Sequence, residues 1–352
     1  MAASRCWLTL VSALAVAACQ SESEAGSGKR AHEKSADAKD EEAALAPKPD
    51  PVPLRGITQS GLTAVWGSSA EDVWAVGSDG AILHSDGKNL EIVASTTTRS
   101  LHAIAGTGPD DIWAGGEEGT TLHWDGNRFE FVERWESETF LGITAIAPDN
   151  VWIVGVVPTD RMGLVRHWDG EKWTAAEVPG SASLWEVWSS GPDDVWLVGT
   201  DPNLGGLVYR GDGMDFKRLD FEGKPLRGVW GASAEDVWVL PYDSAAQHWD
   251  GEGFTSGDEP DTERRILGAW GNAADDVWAV GLHGRIEHFD GDHWDVNVPL
   301  VDEPLWSVWG SSHDDVWAVG GNGTILRWNG DHWRVFATGA APASTAILGA
   351  MP

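Results

Sequence analysis

Ile266-Leu267-Gly268-Ala269-Trp270-Gly271, then residues 272–276, then Val277-Trp278-Ala279-Val280-Gly281, is the stretch that decides the fold. After it come Leu282-His283-Gly284, Arg285-Ile286-Glu287-His288-Phe289, Asp290-Gly291 and a segment around Trp294. Each apolar run is short, rich in Val, Ile and Trp, and bounded by Gly, Asp, Asn or Ser. That is strand–turn–strand punctuation. No run has helical length or a helical period. The unit therefore holds four strands, a to d.

The Asp-Val-Trp phrase inside this unit recurs along the chain. It stands at Asp72-Val73-Trp74, Asp111-Ile112-Trp113, Asn150-Val151-Trp152, Asp194-Val195-Trp196, Asp236-Val237-Trp238, Asp276-Val277-Trp278 and Asp315-Val316-Trp317. Successive middle positions lie 39, 39, 44, 42, 40 and 39 residues apart. A period of about 40 marks a repeat architecture. Strand b is apolar on both faces, with Val73 and Ala75 pointing one way and Trp74 and Val76 the other. Such a strand needs cover on both sides, which neighbouring blades of a propeller supply. Strand a carries small residues at Ala64, Ala103, Gly142, Gly228, Gly268 and Ser307, which let inner strands crowd around an axis. The expectation is an all-β, seven-bladed β-propeller of four-stranded blades over residues 54–340. An open β-solenoid is the alternative, with shorter coils than these units. Ring closure is open: residues 52–57 or the 341–352 tail, through 344–349, complete a blade.

The N-terminus reads as an address. Residues 7–18 are a short apolar run, too short to span a bilayer. Val16-Ala17-Ala18-Cys19 resembles the lipobox of bacterial lipoproteins, which implies a signal peptide over 1–18 and lipidation of Cys19. Gln20 after the cysteine favours the outer membrane. The other cysteine, Cys6, falls in the removed segment, so no disulfide pair remains. Residues 19–53 have little to bury and read as a disordered acidic tether. The chain carries 24 Lys and Arg against 55 Asp and Glu, a net charge of −31. That excludes nucleic acid as a partner and suits a tethered, monomeric domain.

The two faces of the disc differ. The a–b turns carry acidic pairs such as Glu71-Asp72 and Asp275-Asp276. The c–d turns carry Asp-Gly or Asn-Gly, from Asp86-Gly87 to Asn329-Gly330. A turn role explains both rings; a Ca²⁺ ring is the alternative. The opposite face varies. Its b–c loops lengthen in blade 3, around Asp160 and Arg161, and in blade 4, around Asp201 and Asn203. The d–a loop at 258–265 is long and charged. Insertions on one face of a repeat protein mark a binding face. The second position of each strand a, near the channel mouth, reads Thr63, His102, Leu141, Trp185, Arg227, Leu267 and Trp306. That mixture fits a ligand-lining ring or a position facing channel water. Candidate binding residues are therefore His102, Asp160, Arg161, Trp185, Asp201, Asn203, Arg227 and Trp306.

Catalytic motifs are missing: there is no Gly-x-Ser-x-Gly, His-Glu-x-x-His or phosphate loop. A His column at His84, His123, His167, His248 and His288 repeats once per blade, so its members cannot converge on one metal. Each is expected to bond a turn Asp. No cofactor or metal is expected. A sialidase-type site needs Arg residues and a Tyr-Glu pair. Tyr209 and Tyr242 are the chain's two tyrosines, and Arg161, Arg227 and Arg265 could reach the mouth.

Trp124-Asp125, Trp168-Asp169 and Trp249-Asp250 resemble the ends of WD40 repeats, without their Gly-His element. Asp290-Gly291-Asp292-His293-Trp294 resembles the Asp-box of BNR repeats with altered spacing. Residues 62–76 and 305–319 are similar to tectonin repeats. Over 62–334, the Trp-Gly-Ser-Ser, Asp-Val-Trp-Ala-Val-Gly and Trp-Asp-Gly motifs resemble tryptophan-rich repeat lipoproteins of bacteria. That resemblance implies fold and location, not activity. The expected function is a non-catalytic binding or scaffold propeller anchored on the envelope, meeting a protein or, alternatively, a surface glycan.

Overall fold

The computed structural model describes residues 61–339, except Pro179, Ala182 and 257–264, together with a short strand at Val52–Pro53. The expected signal peptide, Cys19, nearly all of the tether, most of the 258–265 loop and the 341–352 tail lie outside the described residues.

Seven sheets form, each with four antiparallel strands in sequence order. In blade 1 these are strand a, Leu62–Ser69, b, Asp72–Gly77, c, Ile82–Ser85, and d, Leu90–Ile92. Blade 7 runs from Leu305–Ser312 to Trp333–Thr338. Each strand a packs against those of the blades on either side, and blade 7 meets blade 1, so the ring is closed.

The double-sided strand b behaves as its sequence demands. Trp74 and Val76 enter a buried cluster with Leu101, Ile112 and Leu122 of blade 2. Val73 and Ala75 enter another with Trp317 and Val319 of blade 7. Every blade is thus a filling between two others, and apolar burial is continuous around the disc.

A second interlock lies in strand a. A Cβ placed on Gly106 would meet the Trp66 ring at 2.7 Å. The same holds for Gly231 on Trp188, Gly271 on Trp230 and Gly310 on Trp270, each at 2.6 Å. At the closing seam, Gly67 meets the Trp309 ring at 2.7 Å. Glycine here is a socket for the neighbouring blade's indole. Gly67→Ala is expected to cost about 1–3 kcal/mol by overpacking, read as a lower urea midpoint. An unchanged midpoint would show that the ring can breathe at this seam.

Closure does not need a strand borrowed to complete a blade. Blade 7 owns all four of its strands, and Val52–Pro53 adds a fifth outside them, parallel to strand d through Val52 with Ala337 and Pro53 with Thr338. The last two residues assigned to the tether therefore belong to the sheet. The seam itself is sealed by the Trp309 socket, by Ser307 Oγ near Val65 N at 3.3 Å, and by Arg327 Nη1 donating to Gly87 O at 2.5 Å.

Candidate functional site

The uniform face is occupied by its own turns. Asp86 Oδ1 accepts the backbone N–H of Lys88 at 2.9 Å and of Asn89 at 2.6 Å. Asp125, Asp169, Asp212, Asp250, Asp290 and Asn329 repeat this pair of bonds. The N–H groups hold the Asp86 carboxyl down at about 2. The glycine that follows has φ +82° in blade 1, the left-handed region a β-carbon disfavours.

The Asp of Asp-Val-Trp is a staple. Asp72 accepts from Trp74 Nε1 at 2.8 Å and from Ser68 Oγ at 2.5 Å, and lies 2.8 Å from His84 Nε2. His84 in turn stacks on Trp74, ring centroids 4.2 Å apart. His123, His167, His248 and His288 each reach the same turn position of their own blade, and Arg210 and Arg327 replace histidine in blades 4 and 7. One turn thus ties strands a, b and c together.

The other face presents a ring of side chains that a backbone feature aims inward. In every blade the pairing of strands a and b slips by one residue near the start of strand a. The slips fall between Leu62 and Ala64, Leu101 and Ala103, Phe140 and Gly142, Leu184 and Glu186, Leu226 and Gly228, Ile266 and Gly268, and Leu305 and Ser307. The skipped residues are Thr63, His102, Leu141, Trp185, Arg227, Leu267 and Trp306. These are bulge residues with no partner opposite, and a bulge re-aims its side chain. All seven line one central cavity of about 510 Å³. The variable ring read from sequence is therefore a ring of bulges.

Four of the expected site residues meet there: His102, Trp185, Arg227 and Trp306. Burial lowers the His102 pKa, so the imidazole is neutral at pH 7. Arg227 lays its guanidinium 3.3 Å from the Trp185 ring centroid and 5.6 Å from that of Tyr242. Arg265 approaches Tyr242 from elsewhere at 5.5 Å. Arg227 Nε is buried without a hydrogen-bond partner, and among the described residues no carboxylate pairs with this side chain. Trp185 Nε1 donates to Thr200 Oγ1 at 3.3 Å, which ties the mouth to the blade 4 loop. Trp306 is 39% exposed.

The other four do not line the cavity. Asp160 and Arg161 form a tight exposed turn, both N–H groups reaching Val157 O at 3.2 and 2.9 Å. Asp201 is spent on its own loop: it accepts from Asn203 N at 2.8 Å and Gly205 N at 2.9 Å, with Arg218 at 3.4 Å. It shapes the loop that holds Asn203 out in solvent.

The cavity also holds a residue that sequence reasoning passed over. The small-residue column of strand a has Glu186 in blade 4. It is partly buried and lines the cavity, and desolvation pushes its pKa up to about 8. It accepts one hydrogen bond among the described residues, from Val187 N at 3.2 Å. Among the described residues no cation offsets its charge: burial raises the pKa and the Val187 N–H opposes. The gap in the column between Gly142 and Gly228 was the available signal.

No family model matches the chain, and no curated protein matches it. Solved structures do. A structure of YCF48 bound to D1 peptide shares 15% identity at TM-score 0.61, covering 77% of this chain and 92% of that one. YCF48 from Cyanidioschyzon merolae shares 14% at TM-score 0.61, covering 78% and 98%. The WD40 β-propeller domain of Doa1 shares 11% at TM-score 0.63, covering 77% and 92%. The chain is a WD40-like seven-bladed β-propeller. At such identities the likeness speaks for the fold alone.

Proposed function

We propose that this chain is a non-catalytic binding propeller, held at the cell envelope by a lipid on Cys19, whose channel mouth grips a basic segment of a partner protein. Propellers of this shape serve protein recognition; one of the similar structures is a complex with a peptide. The lipobox-like Val16-Ala17-Ala18-Cys19 supports the anchor and the outer membrane, and Cys19→Ser is expected to leave the membrane fraction.

Glu186 carries the reading of the site. A carboxyl group enclosed without a counter-charge costs stability. Six blades avoid that cost with Ala, Gly or Ser at the same position. A ligand that brings the missing positive charge explains why blade 4 does not. Trp66, Trp188, Trp230 and Trp270 line the same cavity at their edges. The net charge of −31 steers cations toward the domain. Arg227 does not fill this role, because it is drawn to the faces of Trp185 and Tyr242.

The test is a titration with a lysine-rich peptide. The bound state needs Glu186 ionised, so affinity rises as pH climbs toward 8 and a proton is released on binding. Glu186→Gln is expected to weaken binding at least about tenfold and to remove the pH dependence. Equal affinity in variant and parent would sink the proposal.

The glycan reading keeps one platform. Trp306 is exposed, but the Trp185 face is covered by Arg227. A glycan array with signal lost in Trp306→Ala would favour it. A sialidase-type reaction wants a tyrosine hydroxyl bonded to glutamate, and among the described residues Tyr242 has no such bond. Turnover of a fluorogenic sialoside would overturn the non-catalytic reading.

A further inference from the structure

In one place a residue of the next blade joins a turn staple, and it is no residue of the mouth. The position before each acidic pair is Ala70, Pro109, Pro148, Pro192, Ala234 and Ala274, then His313 in blade 7. His313 reaches back across the seam to blade 6. Its Nδ1 lies 3.0 Å from Asp276 Oδ2, while Asp276 Oδ1 lies 2.7 Å from His288 Nε2. The two imidazole centroids are 6.1 Å apart. One donor atom from each residue lies within 4.8 Å of the other two.

The carboxylate here has two imidazole partners. In blades 1 to 4 and 7 the indole N–H of the Asp-Val-Trp tryptophan donates to the turn Asp or Asn. In blade 6 both Asp276 oxygens face imidazoles, and Trp278 Nε1 is buried with no partner, as Trp238 Nε1 is in blade 5. Asp276 is 6% exposed, whereas the His313 side chain is 57% exposed. The cluster is thus anchored at its base and open at its rim. Asp275 and Asp314 stand exposed beside it in sequence and add negative charge.

We infer that His288, Asp276 and His313 form a binding site for a zinc-class divalent transition ion across the seam of blades 6 and 7. Two neutral imidazole nitrogens and one carboxylate oxygen are a donor set that borderline metals take, with water at the open position. Ligand bonds of about 2.0–2.2 Å around one ion need donor atoms a few ångströms apart, which these are. Hard cations such as Ca²⁺ and Mg²⁺ prefer all-oxygen sets and gain little from imidazole. Asp276 is placed by the repeat itself, so a bound ion ties a scaffold residue of one blade to an added residue of the next.

The experiment is a Co²⁺ titration of the untagged full chain, followed by its visible d–d absorption, with Zn²⁺ displacing it. His313→Ala restores the Ala found at this position in three other blades, so the fold is expected to persist. The parent is expected to show the bands of a low-coordinate Co²⁺ site and micromolar or tighter binding. His313→Ala should weaken it at least about tenfold. Millimolar affinity in the parent, or unchanged Co²⁺ binding in a folded His313→Ala, overturns the site. A thermal melt with Zn²⁺ gives the second readout: Tm rises in the parent and not in the variant.

Discussion

Trp196→Ala is expected to lose about 3–5 kcal/mol of stability, among the largest effects available to a single substitution here. Trp196 is fully buried and packs with Val198, Val229 and Val237, so it joins blade 4 to blade 5. Its Nε1 donates to Asp194 at 3.2 Å, and Arg210 lies 4.9 Å from its ring. Truncation leaves a cavity between two blades and strips the staple of its indole. The matching change at the mouth, Trp306→Ala, removes a partly exposed bulge side chain and is expected to move stability by no more than about 0.5 kcal/mol. Urea denaturation of the pair separates scaffold from mouth. Similar losses in both would mean the mouth is structural.

The second large effect is a pH slope. Glu186 has a pKa of about 8 in the folded chain and about 4.3 when unfolded. The native state therefore holds one more proton than the unfolded state between those values. Stability falls as pH rises through that window, by at most about 1.4 kcal/mol per pH unit, and the loss is complete above pH 8. Below about pH 4.3 both states are protonated and the contribution vanishes. Glu186→Gln is expected to flatten this part of the profile. Glu186→Ala, which restores the repeat's own choice at Ala64 and Ala103, is expected to raise stability most at pH 8 and above. A site kept at the expense of stability has this signature. Parent and variants with parallel profiles from pH 5 to 8 would show that the carboxyl is not buried as described.

The fold was legible because its causes are periodic. Strand b is an apolar run around a tryptophan, such as Val73-Trp74-Ala75-Val76, under cover on both sides, and a run of that kind occurs seven times with turn residues at fixed offsets. The His column was legible for the same reason: a His, or Arg in blades 4 and 7, answers in each blade to the turn Asp, or to Asn150 in blade 3. Sequence showed that the mouth position varies, but not why. The bulge that skips Thr63 or Trp306 is a register slip, and period-two alternation carries no mark of it. The indole-in-glycine sockets join successive blades, and the one at the seam, Trp309 on Gly67, joins opposite ends of the repeat and needs the closed ring to be seen. Asp201 was singled out because it sits on an inserted loop. Its carboxylate instead caps that loop, a choice fixed by backbone geometry. Glu186 and His313 were hidden differently. Each is a single exception in a column, and a column read for its rule passes over the blade that breaks it.

The central claim is that the repeat builds the disc and its exceptions at the mouth bind. A photoreactive phenylalanine analogue, placed singly on the two faces in intact cells, tests it most directly. Leu141 and Leu267 line the cavity among the bulges, while Lys88 and Asp331 lie on the Asp-Gly and Asn-Gly turns of the other face. The account predicts a discrete crosslinked partner from Leu141 and Leu267, lost when Glu186→Gln is added, and none from Lys88 or Asp331. The same partner captured from the turn face, and not from the mouth, would contradict it.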